Sequence, residues 1–116
     1  MGEKKYFSLF FLYFKELKEM KREADFQRNL VRELHDILGD CYVVKLDAYQ
    51  GLPDLLILYK DRWATLECKR SGEAQHQANQ DLHVRKMNEM SFSRFIFPEN
   101  KEEVLNELCE AFGIDR

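Results

Sequence analysis

Glycine and proline are scarce in this chain, five and two in 116 residues. Neither occurs between Gly2 and Gly39, so nothing in the backbone forces a break there. Cysteine is also sparse: Cys41, Cys68 and Cys109 are odd in number and contain no C-x-x-C pair. This excludes a disulfide framework and a zinc ribbon, and leaves three reduced, mostly buried thiols in a reducing cytoplasm. Positive charge is not in excess, since 18 Lys and Arg face 21 Asp and Glu, a formal charge of −3. That argues against a simple nucleic-acid coat, but leaves room for a site where carboxylates gather and offset basic residues elsewhere. No long apolar run exists. The stretch Phe7–Phe14 (FSLFFLYF) is too short to span a bilayer. Lys15-Glu16-Leu17-Lys18 follows it in place of a small-residue cleavage site, so neither stable membrane insertion nor a cleaved leader is expected.

What is present suits one folded domain. A chain of this length buries roughly 65% of its unfolded surface. A 45% hydrophobic content and fifteen aromatics argue for a packed core and against disorder. Phe7, Phe10, Phe11, Phe14 and Leu17 recur at helical spacing, so residues 5 to 20 read as a helix. Phe26, Leu30, Leu34 and Ile37 form a second stripe, which predicts a helix from Arg22 to Leu38 that stops at Gly39. Cys41–Ala48, Leu55–Tyr59 and Trp63–Lys69 read as strands, with Lys60-Asp61 as the turn between the last two. A helix over Ala74–Met90, a strand over Arg94–Phe97 and a final helix capped by Asn100 complete the order. The pattern predicts a mixed α/β domain in which helices cover a small sheet.

The chemistry concentrates at one end of that sheet. Asp54 opens a buried strand, and Glu67 and Lys69 lie near the end of the next. Strand side chains alternate, so Glu67 and Lys69 share a face while Cys68 takes the other. Thirteen residues separate Asp54 from Glu67, the distance at which a tight hairpin brings them level. Read singly, Pro53-Asp54 fits a plain turn and Glu67 with Lys69 a surface cross-strand pair. Read together, on an apolar strand, they are two carboxylates and an ammonium converging on one point. Clustered carboxylates repel unless a cation neutralises them, and all-oxygen ligands suit Mg²⁺ or Mn²⁺. His76 and His83 do not make a zinc site, because seven helical residues hold them roughly 10.5 Å apart.

The strings Gly51-Leu52-Pro53-Asp54 and Glu67-Cys68-Lys69 resemble those of the PD-(D/E)xK nuclease superfamily, and within it the VRR-NUC group. The resemblance runs from about Glu23 to Phe112. It implies a restriction endonuclease-like α-β-β-β-α-β core with an added C-terminal helix, occupying residues 21–116 behind an N-terminal apolar helical extension of residues 1–20. It implies a Mg²⁺- or Mn²⁺-dependent deoxyribonuclease selective for Holliday junctions, flaps or other branched DNA, working as a homodimer in a bacterial or phage-infected cytoplasm. It further implies metal ligation by Asp54 and Glu67, by Glu23 on the first helix and by the Cys68 carbonyl, with Lys69 catalytic. A helical glutamine approaches such sites; Gln80 fits, and Gln77, one turn away, competes with it. Lys45, Arg70 and His76 are candidate DNA contacts, whereas Arg85 and Lys86 read as solvated surface.

Two other classes compete. One is an inert nucleic-acid-binding module with a relict site, which the intact Asp54, Glu67 and Lys69 set argues against. The other is a partner- or membrane-docking protein led by the Phe-rich stripe, which could equally pack on its own domain or on a second copy.

Overall fold

In the computed structural model, which describes residues 2–47 and 49–116, the chain is an α/β fold. It has one long helix, a four-stranded mixed sheet and two further helices. The two helices expected at the N-terminus are one: α1 runs without interruption over Gly2–Leu38. The absence of Gly and Pro explains the continuity. The boundary expected between an extension and a domain at residues 20 and 21 therefore falls inside a helix. Gly39, at φ +73°, ends it with a left-handed turn that a side chain would strain.

The sheet holds β1 (Tyr42–Lys45), β2 (Leu55–Tyr59), β3 (Arg62–Cys68) and β4 (Phe92–Ile96), in that spatial order. The first three strands are antiparallel neighbours, and β4 joins β3 in parallel. The first strand is shorter than expected at both ends, and Ala48, its expected end, lies outside the described residues. The fourth begins two residues earlier than expected, at Phe92. Between β3 and β4 lies α2, Gln80–Met90. It starts six residues after the expected Ala74, because residues 70–79 form bends and turns around the site described below. The last helix, α3, covers Lys101–Phe112.

Alternation along the strands sorts side chains into two layers. On one face, Leu55 and Ile57 of β2, Leu66 and Cys68 of β3 and Ile96 of β4 pack against Leu30, Leu34 and Leu38 of α1. Leu105 and Leu108 of α3 close the same core. On the other face α2 covers the sheet, and there Thr65 donates to Ser93 Oγ at 2.7 Å beneath Met87. Glu67 and Lys69 belong to this second face.

The core involves only the C-terminal half of α1. From Leu30 onward its inner positions are buried, whereas Leu9, Phe10, Phe11, Leu12, Tyr13, Phe14, Leu17 and Met20 are all exposed. The N-terminal half thus projects as an arm, and the molecule measures 61 × 27 × 24 Å. The Phe7 side chain lies outside the described residues. Among the described residues no helix is long and apolar enough to cross a membrane.

Candidate active site

The β2–β3 hairpin sets the geometry. Its register pairs Leu55 with Leu66, which brings Asp54 opposite Glu67, as their spacing predicts. The two are tied reciprocally. The Asp54 N–H donates to Glu67 Oε2 at 3.2 Å, and Asp54 Oδ2 accepts from the Cys68 N–H at 2.9 Å. Each carboxylate is thus held by backbone, and the pair cannot separate without opening the end of the hairpin. Just upstream, Gly51 adopts φ +87°, a conformation that carries the chain round to Pro53 and costs least with glycine.

Lys69 and Gln80 complete the cluster. Lys69 lies one residue past β3, where its N–H still donates to Ile96 O at 2.9 Å. Its Nζ donates to Gln80 Oε1 at 2.7 Å and to Gln75 O at 3.3 Å, and stands 3.9 Å from Glu67 Oε1. Gln80 Nε2 in turn donates to Glu67 Oε1 at 3.0 Å. The amide is therefore a two-ended bridge, accepting from the cation and donating to the anion. Gln77 does not displace it; it donates its backbone N–H to Gln80 Oε1 at 2.9 Å and fixes the amide's orientation. An ammonium has three donors. Two are engaged by Gln80 and Gln75; the third makes no hydrogen bond among the described residues, with the Glu67 carboxylate beside it.

Burial makes these charges costly. Glu67 is 2% exposed, Lys69 6% and Gln80 9%, on the polar face of an otherwise apolar strand. Desolvation raises the Glu67 pKa to about 8, the Asp54 charge adds to the rise, and Lys69 opposes it. The Asp54 carboxyl is also raised, first by burial, although the Cys68 N–H and Lys69 pull the other way. Two raised carboxylates sharing one lysine form a pair short of positive charge.

Glu23 on α1 stands at the edge of this field. Its pKa is raised by burial, lowered by Lys69 and Arg70 and raised again by Asp54. The structure brings it into electrostatic reach of the pair but, among the described residues, gathers no group of three His, Cys, Asp or Glu side chains at metal-holding distance. Cys68 offers only backbone to the site. Its thiol is in the core and is pushed far above its ordinary pKa, by burial before the neighbouring carboxylates, so it stays protonated. The donor atoms that do converge, Asp54 and Glu67 oxygens beside the Cys68 peptide, fit a hard cation such as Mg²⁺ or Mn²⁺.

The outer candidates fare differently. Lys45 is exposed on β1, paired in register with Leu55 and so one position from Asp54. Arg70 is held by Glu19 of the arm at 3.6 Å. His76 stacks on Phe95 with ring centroids 4.1 Å apart, and its Nδ1 meets Asp81 Oδ1 at 2.9 Å. Arg85 and Lys86 are exposed on α2. Three contributors escape a reading of the sequence. Asp47 raises the Asp54 pKa from the neighbouring loop. The Gln75 carbonyl, a backbone atom in a turn, carries no residue signature. Glu19 required the continuity of α1 to be placed. The chain matches no family model, no curated protein and no solved structure in comparisons of sequence and fold.

Proposed function

We propose that this protein is a metal-dependent nuclease whose centre is Asp54, Glu67, Lys69 and Gln80, on a restriction endonuclease-like core of the VRR-NUC kind. One observation carries the reading. A half-buried carboxylate at the start of β2 and a buried one on β3 are held together, each tied to the other's chain segment, with a buried lysine two residues beyond the second. A plain turn and a surface cross-strand pair would leave both carboxylates in water; here Glu67 is buried beside Asp54, and each raises the cost of the other's charge, a cost that a bound cation would offset.

A divalent ion on Asp54 and Glu67, with Glu23 in its outer field, would polarise a phosphoryl oxygen and lower the pKa of bound water. The chain's own residues do the rest. Asp54 and Glu67, fixed by backbone hydrogen bonds, hold the charge that binds the ion. Lys69 keeps one ammonium N–H for the attacking water or for charge developing on phosphorus. Gln80 sets the Lys69 rotamer and stops the ammonium from collapsing onto Glu67. Hydrolysis then forms one P–O bond from water and breaks one P–O bond to the sugar, and the leaving oxygen takes a proton.

The substrate proposed from the resemblance is branched DNA, such as a four-way junction or flap, and the working unit a homodimer. A two-fold dimer suits a two-fold junction, and the exposed arm offers apolar surface for a second copy. The test is incubation of the purified chain with linear, flapped and four-way-junction DNA, with Mg²⁺, Mn²⁺ or EDTA. Cleavage that needs the divalent ion supports the reading. Cleavage that survives exhaustive chelation, or the failure of every substrate with both ions, removes it.

A further inference from the structure

Two clefts are lined by residues that flank the site, and they share no residue. One is lined by Glu16, Glu19, Met20 and Glu23 of α1 with Arg70. Its single cation is already engaged by Glu19. A phosphodiester strand, itself a polyanion, would meet carboxylates along that wall.

The other cleft, of about 310 Å³, is lined by Gln50, Gly51, Gln77, Ala78 and Asn79 and contains no charged group. Its lining is joined to the site through the chain and one hydrogen bond. Asn79 precedes Gln80 in the chain, the Gln77 N–H holds Gln80 Oε1, and Gly51 lies on the loop that leads to Asp54. Gly51 packs against the start of that helix: a Cβ there would stand in ordinary contact, 3.4 Å from Asn79 Cβ and 3.5 Å from the His83 ring, so it is the φ of +87° that favours glycine. The three amide side chains are exposed, and among the described residues none makes an intramolecular hydrogen bond. Asn79 occupies the N-cap of α2 without capping it. Each amide therefore presents both a donor pair and an acceptor to the cleft.

Uncharged amides bind phosphate weakly but match the donor and acceptor edges of nucleobases. In a duplex the Watson–Crick edges are occupied by the opposite strand; an unpaired nucleotide offers them free. We propose that this cleft receives an unpaired nucleobase next to the scissile phosphate, with Gln50, Gln77 and Asn79 as its contacts, so that the preferred substrate is single-stranded at the cut. The proposal rests on the nuclease reading and names its substrate class. It also assigns the cleft a binding role separate from the chemistry, because the Gln77 backbone bond to Gln80 survives any change of the Gln77 side chain.

The experiment uses the full chain and a Gln50→Ala/Gln77→Ala/Asn79→Ala triple variant. The probes are fluorescein-labelled 5′-flap, single-stranded and fully paired DNA with Mg²⁺ or Mn²⁺. Asn79→Ser is the second variant; it keeps a favoured residue type at the N-cap and adds no charge, so a loss there cannot be blamed on the helix or on repulsion. The expected result is a KM for flap and single strand raised about tenfold or more in the triple variant, with kcat little changed and the duplex unaffected. Fluorescence anisotropy with the same probes needs no turnover and separates the two claims. If the wild type binds single strand without cleaving anything and the triple variant loses that binding, the cleft stands and the nuclease reading falls. If KM and single-strand affinity are unchanged in both variants, or if the loss is equal for paired and unpaired DNA, the cleft assignment is overturned.

Discussion

The two ends of this molecule invert the ordinary distribution of polarity. At the end of the sheet, Glu67 and Lys69 are almost wholly buried, while along the arm Phe10 and Phe11 remain 59% and 60% exposed. The buried charges are each hydrogen-bonded or paired, so their burial is structurally supported. The exposed aromatics touch chiefly one another, as in the edge-to-face Phe10–Phe14 pair with centroids 4.6 Å apart. Protein stability would be served by the reverse arrangement at both ends. Departures of this kind are expected where a structure must meet something outside itself. The lesson is that the two ends call for different complements: the sheet end lacks positive charge, and the arm lacks apolar cover.

The sharpest way to break the comparison is to remove the charges at the sheet end. Asp54→Asn and Glu67→Gln should abolish turnover and weaken metal binding, because each removes a ligand charge that nothing else supplies. Lys69→Ala should spare metal binding yet lower kcat by about 10²-fold or more, the scale of a lost proton-handling or charge-stabilising group. Far-ultraviolet circular dichroism should show the fold retained. A Lys69→Ala enzyme cleaving at the wild-type rate would show that the ammonium serves structure alone.

A smaller effect concerns pH. A carboxyl whose folded pKa lies above its unfolded value stabilises the fold at low pH and loses that contribution as pH rises through the folded value. For Glu67 the window runs from 4.5 to about 8, and Asp54 shifts in the same direction. The metal-free protein should therefore melt at progressively lower temperature as pH rises through that window. Glu67→Gln should flatten the dependence. Added Mg²⁺ should restore the melting temperature at pH 8 by binding the ionised pair. A metal-free melting temperature independent of pH across the window would contradict the burial argument.

The arm supplies the next test. Because the core begins at Leu30, deletion of residues 1–19 should leave the domain folded. If the exposed stripe meets a second copy, sedimentation should show the intact chain as a dimer at micromolar concentration and the truncated chain as a monomer. An intact chain that stays monomeric rejects the dimer. The smallest expected effect is that of Glu19→Gln. The lost contact to Arg70 is a partly exposed ion pair at 3.6 Å, worth ~0–1 kcal/mol, so a change in melting temperature beyond a few degrees would show that the arm braces the site more firmly than its contacts indicate.

Much of this architecture was legible in the sequence, and the exceptions have physical causes. The hairpin register followed from the thirteen-residue spacing and strand alternation, which is why Asp54, Glu67 and Lys69 meet as expected. Gln80 was identifiable as a polar residue on an apolar helical stripe, but its bridging role needed coordinates, since an amide's partners depend on which way its two ends point. The start of α2 was misread because Ala74, His76 and Gln77 suit a helix locally; tertiary contacts win there, with the Gln75 carbonyl drawn to Lys69 and the Gln77 N–H to Gln80. Continuity of α1 was hinted at by absent breakers, yet the two apolar stripes suggested separate helices. They differ because the core takes in Leu30 and Leu34 of the second stripe, whereas Phe10, Phe11, Phe14 and Leu17 of the first are exposed.

The central claim is that Asp54 and Glu67 together form a cation site. Calorimetric titration of Mn²⁺ into the metal-free protein at pH 7, repeated in buffers of different ionisation enthalpy, measures both binding and the protons released. With Glu67 raised to about 8, the account predicts saturable binding that expels protons from the site, and the loss of both signals in Glu67→Gln. No binding by the wild type, or equal binding and proton release by Glu67→Gln, would contradict it.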